Sequence, residues 1–366
     1  MSKKICHLTT VHPRYDTRIF HKECVSLSKA GYEVYLVVAD GKGDEQINGI
    51  KILDIGKPKN RKHRVLNFSK KAYKKILQLD CDLVHFHDPE LIPIGLKLKK
   101  LGKKVIYDIH ENIPEQIMYK HYIPKPFKPL LSEFIDKWES RAIKKFSYNI
   151  VADPNTHNRI KTKTSNVEIV KNFVILDKIE IDWDKKQNLM TYIGSITEAR
   201  GIWELMDVLN YVDIKLVLAG KFGSEDLEKS VKSHGQWSKV DYHGFIGKQE
   251  IIEILKNVKI GLVPLHKTKK YLGAYPVKLF EYMNAGIPVI INKIPLWEEI
   301  VLKENCGLSV DITNKKEFAK AINFLLENPE QARKMGENGK KAVLEKYNWD
   351  TEKKKLLKVY QKILKH

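Results

Sequence analysis

Short apolar runs rich in β-branched residues alternate with amphipathic, helix-length segments along almost the whole chain. That alternation leaves little room for any fold except parallel sheets covered by helices. The runs KICHLTT (4–10), EVYLVVA (33–39), LVHFH (83–87), KVIYDI (104–109) and YNIVA (148–152) read as strands. After about residue 188 the pattern restarts with LMTYIG (189–194), KLVLAG (215–220), VDYHGF (240–245), KIGLVPL (259–265), IPVIIN (287–292) and GLSV (307–310). One restart in 366 residues implies two compact domains, each with its own core. The expected division is an α/β domain over 1–168, a linker over 169–187, a second α/β domain over 188–345 and a last helix over 346–366. In that helix Leu356, Leu357, Tyr360, Ile363 and Leu364 fall on one face, which must be buried. Doubly wound sheets hold ligands in the crevice at the carboxyl ends of their strands, so a cleft between the domains is the expected site.

At 43% hydrophobic and 30% charged residues, the chain is neither disordered, collagen-like nor a membrane-embedded bundle. Its net charge of +20 calls for an anionic partner: nucleic acid, a membrane surface or a phosphate-bearing substrate. The surplus leans to the first half, with +13 over 1–168 against +7 over 169–366. The four cysteines, Cys6, Cys24, Cys81 and Cys306, form no close pair, so a reducing cytoplasm is expected, with no disulfide framework or zinc site. No window approaches the roughly 18 to 20 apolar residues of a membrane span, so any membrane contact is expected to be peripheral.

Two segments of the second half carry chemistry. In YIGSITEARGIWELMDVL (192–209) a strand ends at Gly194 and a helix begins near Gly201, placing Arg200 where free N–H groups and the helix dipole favour an anion. In GAYPVKLFEYMNAGIPVI (273–290) Pro276 opens a helix carrying Lys278 and Glu281 three apart, just after the strand KIGLVPL. Taken alone, Arg200 is as consistent with an ordinary surface arginine, and K-x-x-E with a surface ion pair. In the first half three polar clusters follow adjacent strands: HPRYDTRIFHKE (12–23), HDPE (87–90) and HEN (110–112). Asp80 and Asp82 read as loop or cap residues, not metal ligands.

YDIHE, the linker KNFVILD, YIGSITEARG, HGFIG and PVKLFEYMNAGIPVI, in this order along the chain, resemble family 4 of the retaining glycosyltransferases over essentially the whole chain. The resemblance implies the α/β GT-B fold, with two Rossmann-like domains facing across a cleft and the last helix crossing back to the first domain. It implies that the second domain binds a nucleotide-sugar, with Gly194, Ser195, Arg200 and Lys278 at the diphosphate and Glu281 on the ribose. Backbone near Gly244, Phe245 and Ile246 would flank the base, beside Tyr275, Pro276 and Val277. His110 is implied as the active-site histidine, with Glu111 orienting it or the acceptor. On the acceptor side His12, Asp16, Arg18, His87, Asp88 and Glu90 are the candidates. Two departures stand out. Ser195 replaces the family's first basic residue, for which Arg18 could compensate unless it pairs with Asp16, and Gly273 replaces a second glutamate.

A leaving diphosphate gathers negative charge, so cations and helix-end amides suffice to stabilise it, and neither metal nor cofactor is expected. No nucleophile is assigned, because the family is associated with a front-face mechanism. The acceptor is expected to be a saccharide, plausibly lipid-linked, in the making of capsule, O-antigen or other surface polysaccharide. The segment 57–75 has nine basic residues and no acid, and 119–138 is basic and aromatic, so both are candidates for docking on an anionic membrane surface. The expected place is the cytoplasm, at the inner face of the plasma membrane. With no helix-turn-helix, zinc spacing or RNA-binding motif, no specific nucleic acid is expected. The competing functions are a GT-B nucleotide-sugar 2-epimerase and a non-enzymatic basic scaffold.

Overall fold

The computed structural model describes residues 2–110, 112–119, 123–177, 179–180 and 182–365. The chain divides into two compact units, 1–172 with 350–366, and 173–349.

The first unit is built on β1 (Lys4–Leu8), β2 (Glu33–Val38), β3 (Glu45–Ile47), β4 (Ile50–Asp54), β5 (Leu83–Phe86), β6 (Lys104–Ile109), β7 (Tyr148–Val151) and β8 (Val167–Ile169). They lie in the order β3-β4-β2-β1-β5-β6-β7-β8, parallel except for β3 against β4. The β3–β4 hairpin was not expected. Its turn is Asn48-Gly49, both at positive φ, the two-residue connection whose twist matches the strands it joins. Interior strands such as β2 are buried from the second residue on, which is why they read as continuous apolar runs.

The second unit carries β9 (Gln187–Ile193), β10 (Lys215–Ala219), β11 (Val240–Gly244), β12 (Val258–Val263), β13 (Val289–Asn292) and β14 (Gly307–Val310). Their order is β11-β10-β9-β12-β13-β14, all parallel. The chain reverses direction across the sheet between β9 and β12, and such a switch point opens a crevice at the carboxyl ends of those two strands.

The segment 169–187, expected as a linker, is divided between the units instead. Lys171 donates its backbone N–H to Glu352 in the first unit, at 2.9 Å. From Phe173 onward the chain packs into the second, where the Phe173 ring meets Tyr275, Phe280 and Tyr347 and Trp183 is buried. Aromatic side chains of this size are held by burial, which a free spacer would not offer. The last helix, Trp349–Leu364, enters the first unit at Asp350, four residues later than the expected boundary. There Leu356 and Tyr360 are fully buried and Lys104 Nζ donates to the carbonyl of Ile363. Asp80 ends the helix Ser69–Leu79 in a left-handed cap and pairs with Lys103, while Asp82 accepts the N–H of Lys4, so both serve the loop.

Candidate functional site

In the second unit the loops after β9 and β12 meet. Gly201 (φ 79°) lies so close to the chain that an added Cβ would stand 2.0 Å from the carbonyl oxygen of Pro264, so only glycine permits this approach. His266 donates its N–H to the carbonyl of Ala199, and Arg200 Nε donates to the Tyr271 hydroxyl at 3.2 Å. Arg200 stands in the turn Glu198–Arg200, one residue ahead of the helix Ile202–Val208.

Lys278 is in the first turn of the helix Val277–Asn284 and is 7% exposed, so the K-x-x-E spacing does not mark a surface lysine. Its Nζ lies 3.4 Å from the centroid of the Tyr192 ring and has no hydrogen-bond partner among the described residues. Burial, with Arg200 adding to it, pushes the Lys278 ammonium well below its usual pKa against the pull of Glu281. Gly194 (φ 135°) leaves the space into which both cations point: a Cβ there would be 2.9 Å from Lys278 Nζ and 3.5 Å from an Arg200 guanidinium nitrogen. No carboxylate pairs with either cation within ion-pair distance among the described residues. A site with this arrangement is built to receive an anion. Ser195 accepts from the Tyr192 hydroxyl through its backbone carbonyl. Pro276 precedes the helix, with Tyr275, Pro276, Val277 and Glu281 half-buried around its start. Gly244, at positive φ, ends β11, after which Phe245 is 87% exposed and Ile246 half-buried.

In the first unit the polar residues at the strand ends form a closed network. The register sets His7 on β1 beside His85 on β5, and period-2 alternation brings His87 and Asp108 to the same face. His7 Nδ1 and His87 Nε2 share a hydrogen bond at 3.0 Å, and His87 Nδ1 lies 3.1 Å from His110 Nε2. Asp108 Oδ2 is 3.3 Å from His87 Nδ1 and 3.1 Å from His110 Nε2. Arg18 grips Asp108 with two hydrogen bonds of 2.8 and 3.0 Å and donates a third to the carbonyl of Val170. Burial opposes ionisation of Asp108, yet Arg18 and His110 hold it well below the usual carboxylate range. Burial lowers His87 to about 4 despite the nearby Asp108, and keeps His7 and His85 neutral as well.

Arg18 is thus neither a loop partner of Asp16 nor a free cation. It is 4% exposed and committed to Asp108, which removes it as a substitute for the missing basic residue at Ser195. Asp16 instead caps the helix Thr17–Cys24 through the N–H groups of Arg18 and Ile19. His12 stands between Asp16, at 3.4 Å, and Asp88, at 3.7 Å, with its ring 4.8 Å from that of His110. Burial works against its charge, but Asp16 and Asp88 outweigh that and raise its pKa. Asp88 is buried beneath Thr9 and Thr10, and Glu90 accepts from Thr10 and Arg64. Glu111 lies outside the described residues. The structure therefore brings His12, Arg18, His87, Asp88 and His110 together.

His7, Glu23, His85, Asp108 and Tyr360 belong to this network and were missed in the sequence. The available signal was polarity inside apolar strands: V-H-F-H-D puts two histidines at strand period on one buried face.

Comparison with known proteins gives two consecutive family matches: Glycosyltransferase Family 4 over residues 18–178, and Glycosyl transferases group 1 over 175–342. The D-rhamnosyltransferase WbpZ of Pseudomonas aeruginosa is 22% identical over 281 residues, covering 74% of this chain and 71% of that protein. Among solved structures, Anabaena HepE in complex with UDP and glucose matches with a TM-score of 0.73 at 13% identity, over 98% of this chain and 100% of that one. WaaG, described as a glycosyltransferase involved in lipopolysaccharide biosynthesis, matches with a TM-score of 0.71 at 11% identity, over 96% and 98%. The two α/β units therefore have the GT-B fold.

Proposed function

The chain belongs to family 4 of the glycosyltransferases, and on that premise we propose that it transfers a sugar, with retention of configuration, from a nucleotide-sugar to a saccharide acceptor. The observation that carries this reading is the meeting of Lys278 and Arg200 over Gly194 with no anion of the described residues between them. A nucleoside diphosphate supplies the missing charge, and that charge grows as the glycosyl–phosphate bond breaks. Cations already aimed at it, in a buried setting, stabilise the transition state more than the ground state. The transfer step then needs no metal at the diphosphate and no cofactor.

In this reading Glu281 holds the ribose, Gly244 to Ile246 and Tyr275 to Val277 flank the base, and Gly194 and Ser195 border the diphosphate. His110, fixed by Asp108, is assigned to the donor sugar, and Glu111, outside the described residues, to orienting it or the acceptor. His12, Asp16, His87, Asp88 and Glu90 shape the acceptor side. The likeness to HepE, solved with UDP and glucose, supports a nucleotide-sugar donor. The acceptor in this reading is lipid-linked, serves surface-polysaccharide synthesis and is met at the inner face of the plasma membrane; WaaG, of the same fold, is itself described as involved in lipopolysaccharide biosynthesis. No helix among the described residues is long and apolar enough to cross a membrane. On the helix Lys128–Ile143 and the turn before it, Phe127, Leu130 and Phe134 are 62%, 69% and 64% exposed among lysines, which fits docking on an anionic membrane surface. The expected contact over 119–138 includes residues 120–122, which lie outside the described residues.

Titration with UDP and other nucleoside diphosphates tests the donor site. Arg200→Ala should weaken binding by about tenfold to a hundredfold, the worth of hydrogen bonds to a charged group. Unchanged affinity for every nucleoside diphosphate that binds the natural chain overturns the site.

A further inference from the structure

Behind His110, where the proposed transfer makes no demand, Glu23 sits fully buried with both carboxylate oxygens lacking a hydrogen-bond partner. Its Oε2 stands 3.8 Å from His7 Nδ1, 3.9 Å from His85 Nδ1 and 4.0 Å from His87 Nε2, and its Oε1 is 3.2 Å from Arg18 Nε. His7 Nδ1 and His87 Nε2 are 3.0 Å apart, and His85 Nε2 is a further buried atom without a partner. All four side chains are 0–1% exposed, and one ligand atom from each falls within 4.8 Å of the others.

We propose that His7, His85, His87 and Glu23 bind a divalent transition-metal ion of the zinc class. Zinc bound by nitrogen and oxygen at about 2.0–2.2 Å in a tetrahedron requires neighbouring donor atoms about 3.3–3.5 Å apart. Four of the six separations, at 3.0–4.0 Å, bracket that edge, the other two lie within 4.8 Å, and His85 Nδ1 would exchange the Tyr360 hydroxyl, 2.7 Å away, for the metal. Imidazole and carboxylate are ligands that zinc accepts, and all four come from a closed site with no exposed position.

The outer contacts are suited to the same role. With Nε2 on the metal, His87 keeps Nδ1–H toward Asp108, an orientation by carboxylate that metal-bound histidines commonly have. With Nδ1 on the metal, His7 keeps Nε2–H toward the Tyr360 hydroxyl, 3.1 Å away. Binding moves the proton now shared by His7 Nδ1 and His87 Nε2 to the outer nitrogen of its own ring, and gives Glu23 Oε2 a partner beside the Arg18 that faces Oε1. The ion would join β1, β5 and the helix Thr17–Cys24, and hold the His87 ring against His110. The inference does not depend on the sugar-transfer reading.

The full chain, unfolded with a chelator, is refolded with or without Zn²⁺ alone and desalted. The natural chain should retain about one Zn²⁺ and show a higher thermal midpoint than the metal-free form. Glu23→Gln should lose at least about tenfold of the retained metal, whereas His243→Ala, at a half-exposed surface ring, should retain all of it. Co²⁺ in the natural chain should give the visible spectrum of a tetrahedral site without thiolate charge transfer. Zinc absent from the refolded natural chain, full zinc in Glu23→Gln, or a thiolate band from the buried cysteines each overturns the proposal. If Glu23→Gln does not refold, zinc retention and the cobalt spectrum of the natural chain decide.

Discussion

The polar interiors of the two units solve opposite problems. In the first unit Arg18, Asp108, His87 and His110 satisfy one another, so the network is complete without a nucleotide. In the second, buried Lys278 and half-buried Arg200 converge with no counter-anion among the described residues, and each disfavours the charge of the other. The difference separates a part that holds its own geometry from a part that is relieved only by its ligand. A positively charged pocket that is uncomfortable when free binds an anion more tightly than one already neutralised by the protein.

Three measurements sharpen or break that contrast. Asp108→Asn takes from the buried Arg18 guanidinium the carboxylate that grips it twice, leaving it only Glu23 Oε1 at 3.2 Å, and should cost about 3–5 kcal/mol of stability in chemical denaturation. A loss under about 1 kcal/mol would mean that the first unit is less self-contained than its geometry implies. Lys278→Met should do the reverse, removing a buried amine without a hydrogen-bond partner and raising stability by about 1 kcal/mol, while transfer activity falls by about 10²–10³-fold. If stability also falls, the lysine is held by the fold and the contrast fails. The smallest effect is a proton. Burial and Arg200 lower the Lys278 pKa in the free protein, and a bound diphosphate raises it again. Binding should therefore take up as much as about one proton at pH values between the two, and affinity should rise as pH falls through that window. Calorimetry in buffers of different ionisation enthalpy measures this directly, and proton release on binding contradicts the assignment.

The strands were legible because buried parallel strands have no polar alternation to blur them, as in β2 and β13. The β3–β4 hairpin was missed although Asn48-Gly49 announces it, since the flanking strand β3 has only three residues. Arg200 and Lys278 were legible from position alone: glycine breaks and helix starts mark where an anion can sit. The burial of Lys278 was not, because K-x-x-E has the same spacing on a solvated face and over a tyrosine ring. The histidine network was half legible. His87, Asp88 and His110 follow strands and attract notice. His7, Glu23, His85 and Asp108 are collected from segments up to about a hundred residues apart, and only strand order and register bring them together.

The last helix changes how the chain can be made. Because residues 350–366 complete the unit that begins at the N-terminus, the second unit is an insertion, joined to the first by two covalent crossings. Tyr360 supplies the hydroxyl that bonds both His7 and His85, residues separated from it by more than 270 positions. During synthesis the first unit must wait with a polar gap in its interior until residues 350–366 have left the ribosome. The second unit, whose segments are all contiguous, is free to fold before it.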